Sequence, residues 1–194
     1  MIGSDGRDVV LFVQSGEGEI EISGRRFQLE SLCGIYVRHS EAFRVENPGR
    51  SPVKLFISNG PGSEDLAFLD EMPLNFDAAF PNRRAQIDPS QRNGMGDRFY
   101  QLLINREHGS TVITQFIGNI PLSKGLPHRH LYEEALIFLR GAGVVWTETL
   151  KAEVEAGDVL FLPSKLLHSV QCTVEGGLDV VGVIYPGDNP SINY

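Results

Sequence analysis

His128 and His130 stand one residue apart, Glu134 follows four residues later, and His168 lies far down the chain. Imidazole and carboxylate without thiolate form a donor set for a divalent first-row ion. In an extended strand, side chains alternate between faces, so His128 and His130 project the same way and can chelate one ion. Glu134 keeps that parity, yet a straight strand would carry it ~13 Å past His130 at ~3.3 Å per residue. Metal–ligand bonds are only ~2 Å long, so the chain must curl or bulge around Leu131 to Glu133 for Glu134 to join. Taken alone, His128 and His130 also read as an ordinary pair of loop histidines. A helical reading is open too, since His130 and Glu134 are four apart and would share a helix face. Against it, Leu136 to Leu139 is apolar on all sides and is followed by Gly141-Ala142-Gly143 and the β-rich Val144-Val145-Trp146.

The elements that must position these groups read as short strands. Val9 to Gln14 is a β-rich apolar run, and Glu19-Ile20-Glu21-Ile22 alternates as a half-buried strand does. Ile35-Tyr36-Val37, Phe43 to Glu46 and Val53 to Ile57 follow, separated by turns such as Asn47-Pro48-Gly49 and Asn59-Gly60-Pro61-Gly62. Residues 63–96 read differently, with a possible helical turn over Glu64 to Glu71 and prolines at 73, 81 and 89. This stretch is too long for a plain loop and reads as a connector. Phe99 to Ile104 and Thr111 to Ile117 then flank a turn at Arg106-Glu107-His108-Gly109.

The second half repeats the plan of the first. Leu136 to Leu139 answers Leu11 to Gln14, Gly141 to Gly143 answers Gly16 to Gly18, Gly157 answers Gly34, and Val180 to Tyr185 answers Leu55 to Ile57 with its flanks. On this alignment Val9 falls at the place of Glu134, Val45 at that of His168, and Gly3 and Asp5 at those of His128 and His130. The first half then has the scaffold without the ligands. The expected division is a degenerate half at 1–62, a connector at 63–96 and a metal-binding unit at 97–194.

The 194 residues suit one compact domain or two small halves, and 41% hydrophobic with 22% charged residues is ordinary for a protein that buries a core. The net charge of -8 disfavours non-specific contact with nucleic acid or an anionic membrane. The longest apolar runs, Ala135 to Leu139 and the equally long Val9 to Val13, are far short of a membrane span. The first eight residues have no apolar core of the signal-peptide kind. Cys33 and Cys172 form no C-x-x-C pair and are expected to be buried small hydrophobes, which points to a reduced, cytoplasmic protein.

Residues 101–194 resemble the cupin superfamily, and the whole chain resembles a degenerate bicupin. His128, His130, Glu134 and Gly141 fall at the spacing of the first cupin motif, and Gly157, Pro163 and His168 at that of the second. Departures are Lys165 in place of a glycine, Cys172 in place of a trailing asparagine, and a displaced leading glycine, for which Gly125 is too close and Gly118 too far. The resemblance implies an all-β fold, a jelly-roll type antiparallel β-barrel, and one divalent ion held by His128, His130, Glu134 and His168. It also implies a range of activities, from dioxygenases and oxalate-degrading enzymes to isomerases and non-catalytic binders, among which fold cannot choose.

Such a centre is monopositive, with two open positions on an octahedral Mn, Fe, Ni or Zn ion. It suits a small anionic or enolate-like molecule: a carboxylate, diketone or enediol. The expected function is therefore a metal-dependent enzyme of dioxygenase-like or Lewis-acid type, such as a dioxygenase, decarboxylase or isomerase. The alternative is a non-catalytic metal-dependent binding or sensor protein, and a purely structural metal is a third reading. Gln115, Tyr132, Phe138, Trp146 and Phe161 are candidates to line the pocket, with Phe138 and Leu136 sharing the ligands' parity. His39 and His108 are expected to be exposed and uninvolved. The first half has few strands and leaves an edge open, so a homodimer is expected.

Overall fold

A computed structural model describes the whole chain except Asp5, residues 62–65 and Asn193. The described elements are β-strands, paired antiparallel, and two single-turn 3-10 helices at Pro89–Gln91 and Arg106–His108. No helix among the described residues is long and apolar enough to cross a membrane.

The chain forms two compact units, Met1–Ile87 with Leu103–Ile113, and Asp88–Leu102 with Thr114–Tyr194. These bounds differ from those read in the sequence, because the expected connector is divided at Ile87 and the strand opening the second half ends in the first unit. Glu64 and Asp65 of the expected helical turn lie outside the described residues, and Ala67–Phe68 is a strand paired with Ile2–Gly3. His108 is buried rather than exposed: its Nδ1 meets Asn105 Oδ1 at 3.1 Å within the second 3-10 turn, which Gly109 closes at φ +90.

In the first unit the strands are β1 (Ile2–Gly3), β2 (Asp8–Ser15), β3 (Gly18–Ile22), β4 (Arg25–Leu29), β5 (Cys33–Val37), β6 (Ala42–Glu46), β7 (Lys54–Gly60), β8 (Ala67–Phe68) and β9 (Arg84–Gln86). They form two sheets, β4-β3-β6-β1-β8 and β7-β2-β5-β9. Alternation puts Val9, Leu11 and Val13 of β2 against Ile20, Ile22, Ile35 and Phe43 in one apolar core. Arg83 is fully buried, and its guanidinium donates to both carboxylate oxygens of Glu41, at 2.7 and 2.8 Å, and to the Phe80 carbonyl at 2.8 Å.

The second unit holds β10 (Asn93–Met95), most of β11 (Arg98–Ile104), β12 (Thr114–Ile120), β13 (Glu133–Arg140), β14 (Ala142–Thr147), β15 (Lys151–Glu155), β16 (Val159–Leu162), β17 (His168–Cys172) and β18 (Leu178–Tyr185). The sheet orders are β10-β11-β12-β18-β13-β16 and β15-β14-β17. Tyr100, Phe116, Leu136, Phe138, Val145, Leu162, Val170 and Ile184 pack together in its core.

Strand pairing repeats between the units. β2 pairs with β5 and β7 as β13 does with β16 and β18, and β3 pairs with β4 and β6 as β14 does with β15 and β17. Both long strands carry a register break, between Val13 and Ser15 and between Phe138 and Arg140. The ladders correct two matches made from the sequence. His168 stands opposite Thr147 as Phe43 stands opposite Ile22, so Phe43, not Val45, takes its place. Gly157 corresponds to Leu32, not Gly34, and both have positive φ, +102 and +65. Each error is a slip of two residues, which leaves strand alternation intact and is therefore invisible in the pattern. Val9 does stand at the place of Glu134, since it pairs with Val37 and Asn59 as Glu134 pairs with Leu162 and Ile184.

Candidate metal centre

His128 sits in extended backbone and is bridged to His168, the first residue of β17, by reciprocal N–H to carbonyl bonds of 2.9 Å each. Arg129 exchanges backbone bonds with Tyr194 in the same way, and the Lys165 N–H donates to the His130 carbonyl at 2.7 Å. The segment is thus extended, not helical. The backbone then bends at residues 131–132 and enters β13 at Glu133, which is the curl needed to bring Glu134 back toward the histidines. Lys165 adopts φ +67, a left-handed conformation that explains why a glycine is at home there.

The three rings face one another. His128 and His168 centroids are 4.5 Å apart, His128 and His130 4.8 Å, and His130 and His168 5.2 Å. One ring nitrogen from each lies within 4.8 Å of the others. Each Nδ1 is held by a backbone carbonyl: that of His128 by Leu126 at 2.9 Å, of His130 by Ile192 at 3.0 Å, and of His168 by Leu166 at 2.9 Å. A carbonyl only accepts, so Nδ1 carries the proton and Nε2 is left with a free lone pair on every ring. The Glu134 carboxylate approaches one of them, with Oε2 3.8 Å from His130 Nε2, and is not among the three side chains whose ligand atoms lie within 4.8 Å of one another.

Burial disfavours the charged form of two of the rings, His130 and His168. Desolvation holds the His168 ring down at about 4 and lowers His130 as well. The same desolvation pushes the Glu134 carboxyl up to about 7. Tyr132 lies flat on His130, centroids 4.4 Å apart and planes 11° from parallel, and its hydroxyl donates to the Pro190 carbonyl at 3.2 Å. Burial raises that phenol, so it stays a donor. The C-terminal segment therefore braces His130 twice, through Ile192 and through Tyr132.

A cleft of about 590 Å³, counted out to its open mouth, adjoins the histidines and Glu134. Met95, Phe99, Phe116, Leu136, Val170 and Val180 give it apolar walls, with Arg98 and Asn119 as polar members. Asn119 Nδ2 is engaged by Asp179 at 2.6 Å. Arg98 Nη2 donates to the Val170 carbonyl at 2.8 Å.

Of the five residues read as pocket candidates, none is on that lining. Phe116 faces the cleft, so its neighbour Gln115 turns away and is 1% exposed. Leu162 stands opposite Glu134, which turns Phe161 to the outer face, 57% exposed. Thr147 stands opposite His168, so Trp146 points the other way, where Lys124 and Lys151 ammonium groups lie 4.2 and 4.9 Å from its ring. Phe138 shares the parity of Glu134 and Leu136 but sits deeper in the core, fully buried. Tyr132 supports His130 from behind. Arg98, Val170 and the carbonyls of Leu126, Leu166 and Ile192 were not singled out in the sequence, and backbone carbonyls leave no residue-type signal to read.

Residues 121–184 match the family model described as the cupin domain. No curated protein sequence matches the chain. Among solved structures, AerE from Microcystis aeruginosa is 15% identical with a TM-score of 0.72, covering 95% of this chain and 80% of that one. A salicylate 1,2-dioxygenase from Pseudaminobacter salicylatoxidans is 12% identical with a TM-score of 0.70, covering 93% of this chain and 65% of that one. A cupin 2 conserved barrel domain protein from Leptotrichia buccalis is 14% identical with a TM-score of 0.59, covering 94% and 76%. At these identities the likeness is one of fold: all-β, antiparallel and cupin-like.

Proposed function

We propose that His128, His130 and His168, each through Nε2, and Glu134 hold one divalent ion per chain, Mn, Fe, Ni or Zn. We further propose that the chain is an enzyme acting on a small oxygen-bearing carboxylate, diketone or enediol. One observation carries this reading: three Nδ1–H groups are tied to three backbone carbonyls, which leaves three Nε2 lone pairs converging beside a buried carboxylate. Metal-bound histidines need that outer bracing, which fixes tautomer and ring direction. When bound, the ion would supply Lewis acidity, or redox chemistry if it is iron.

The protein's own contribution is positional. Carbonyls of Leu126, Ile192 and Leu166 orient the rings, Tyr132 stacks behind His130, and apolar walls keep water from the reacting groups. Glu134 holds a proton at its carboxyl below about pH 7 and becomes a full anion when a cation arrives. An oxygenase-like reaction is one of the chemistries this fold carries, as the salicylate 1,2-dioxygenase of the same fold illustrates. Among the described lining residues, the titratable groups beyond Glu134 and the histidines are Arg98 and Tyr100, whose hydroxyl donates to Asn189 Oδ1 at 2.9 Å; the second reading is a non-catalytic metal-dependent binding or sensor protein.

The repeated strand pairing supports a two-cupin organisation in which the first unit, with Val9 and Phe43 at ligand positions, holds no ion. A homodimer belongs to this reading: β16 is the edge of its sheet, with Val159 and Phe161 exposed. Both cysteines are buried and free, as a reducing cytoplasmic setting would leave them.

Metal analysis of the purified chain tests the assignment. About one ion per chain is expected, and His128→Ala should lose most of it while its β-sheet circular dichroism stays that of wild type. Equal metal content in variant and wild type would remove His128 from the ligand set. Oxygen uptake with small carboxylates, diketones and phenolics then separates enzyme from binder, and light scattering separates dimer from monomer.

A further inference from the structure

We propose that Arg98 is an anion anchor in the cleft, so that the molecule bound at the metal centre carries a second carboxylate that does not touch the ion. The proposal rests on the metal reading above and names the class of ligand that centre takes.

Arg98 opens β11 and lines the cleft, with its side chain only 11% exposed. Its Nη2 donates to the Val170 carbonyl. Val170 lies two residues beyond His168 on β17, on the same face and about 6.8 Å further along the strand. Arg98 and the three histidines line the same cleft. The guanidinium lies against Gly125: a Cβ built there would come within 2.5 Å of Nη2, 3.0 Å of Cζ and 3.1 Å of Nη1. This accounts for a glycine three residues before His128, which the cupin-like spacing does not require.

Its charge is poorly answered by the protein. Asp97, 58% exposed, is 3.7 Å from Nε, and no hydrogen bond from Nε or Nη1 to a described residue accompanies the Val170 bond. Desolvation lowers its pKa, but a guanidinium remains charged at any physiological pH. A half-desolvated cation among apolar walls is favourable chiefly when an anion completes it. The fork of N–H groups matches a planar carboxylate. With the proposed monopositive centre and the guanidinium both on its lining, the cleft complements a dianion better than a monoanion.

The test uses zinc-loaded protein, since zinc is redox-inert and the probe survives. Calorimetry compares 2-oxoglutarate with 5-methyl-2-oxohexanoate, which has the same metal-chelating end and replaces the distal carboxylate by an uncharged isopropyl group of similar size. Wild type should bind the diacid about tenfold tighter or more, the scale of one charge-assisted pair. Arg98→Met should erase that preference while zinc stoichiometry and monoacid affinity stay within about twofold of wild type. Gly125→Ala should weaken the preference too, since the displaced group is the flexible end of Arg98. Equal binding of the two acids by wild type, binding of neither, or a preference that survives both substitutions overturns the proposal. Absence of zinc uptake by wild type would instead refute the metal assignment, and the same pair of acids then decides the role of Arg98 in the metal-free chain.

Discussion

Replacing Glu134 by glutamine should shift stability in opposite directions with and without metal. The carboxyl rises from an ordinary 4.5 to about 7 because burial disfavours its charged form. At 1.36 kcal/mol per pH unit, ionising it inside the fold costs about 3 kcal/mol. Between pH 4.5 and 7 the folded chain binds more protons at this site than the unfolded chain does, so stability falls as pH rises through that window. The full cost is present above pH 7. Glutamine has the shape of the neutral acid and no charge to desolvate. Metal-free Glu134→Gln should thus be more stable than wild type by up to about 3 kcal/mol near pH 8, with the difference closing to roughly zero by pH 4.5. Saturating metal should reverse the order, because ion binding stabilises the folded chain in proportion to affinity and the amide is the weaker ligand. Urea unfolding of both proteins near pH 5 and pH 8, with chelator and with added metal, reads all of these. A variant less stable than wild type near pH 8 in chelator, or a difference that ignores pH, would refute the account of Glu134 as a carboxylate held ready for a cation.

Three further outcomes are expected. Deleting residues 190–194 removes the carbonyls that hold His130 Nδ1 and the Tyr132 hydroxyl, so metal affinity should fall about 10- to 100-fold in a competition titration while the sheets persist. Lys165→Gly should raise the unfolding free energy read from urea titration by up to about 1 kcal/mol, since φ +67 penalises a side chain there and the backbone bond to the His130 carbonyl is kept. Arg83→Met leaves the buried Glu41 carboxylate without its partner and should destabilise the first unit by roughly 3–5 kcal/mol, whereas adding Glu41→Leu should recover much of that loss.

Much of the scaffold was legible in the chain. The runs at Val9 to Gln14 and Leu136 to Leu139 became central strands because fully buried strands need apolar residues on both faces. The curl between His130 and Glu134 followed from arithmetic: an extended chain would overshoot any bond to a shared ion. What the pattern could not see was register. Alternation has a period of two, so a match to Val45 looks as good as one to Phe43 until a ladder decides between them. The ends of the compact units were hidden for a related reason, since nothing in residues 84–86 announces that they pair with β5.

The types and parity of the proposed ligands could be read from the sequence, because they depend on residue identity and a one-residue alternation. The choice of Nε2 over Nδ1 could not, because it depends on carbonyls at positions 126, 166 and 192, and every residue has a carbonyl. The pocket lining was decided the same way. Gln115, Trp146 and Phe161 each sit one residue from a position that faces the site, and a single step along a strand reverses a side chain. Arg98 becomes meaningful only beside Val170 and Gly125, which strand pairing brings to it from distant parts of the chain. Chemistry borne by a side chain can be read in one dimension, whereas chemistry set by backbone groups and by the direction a side chain faces exists only once the sheets have formed.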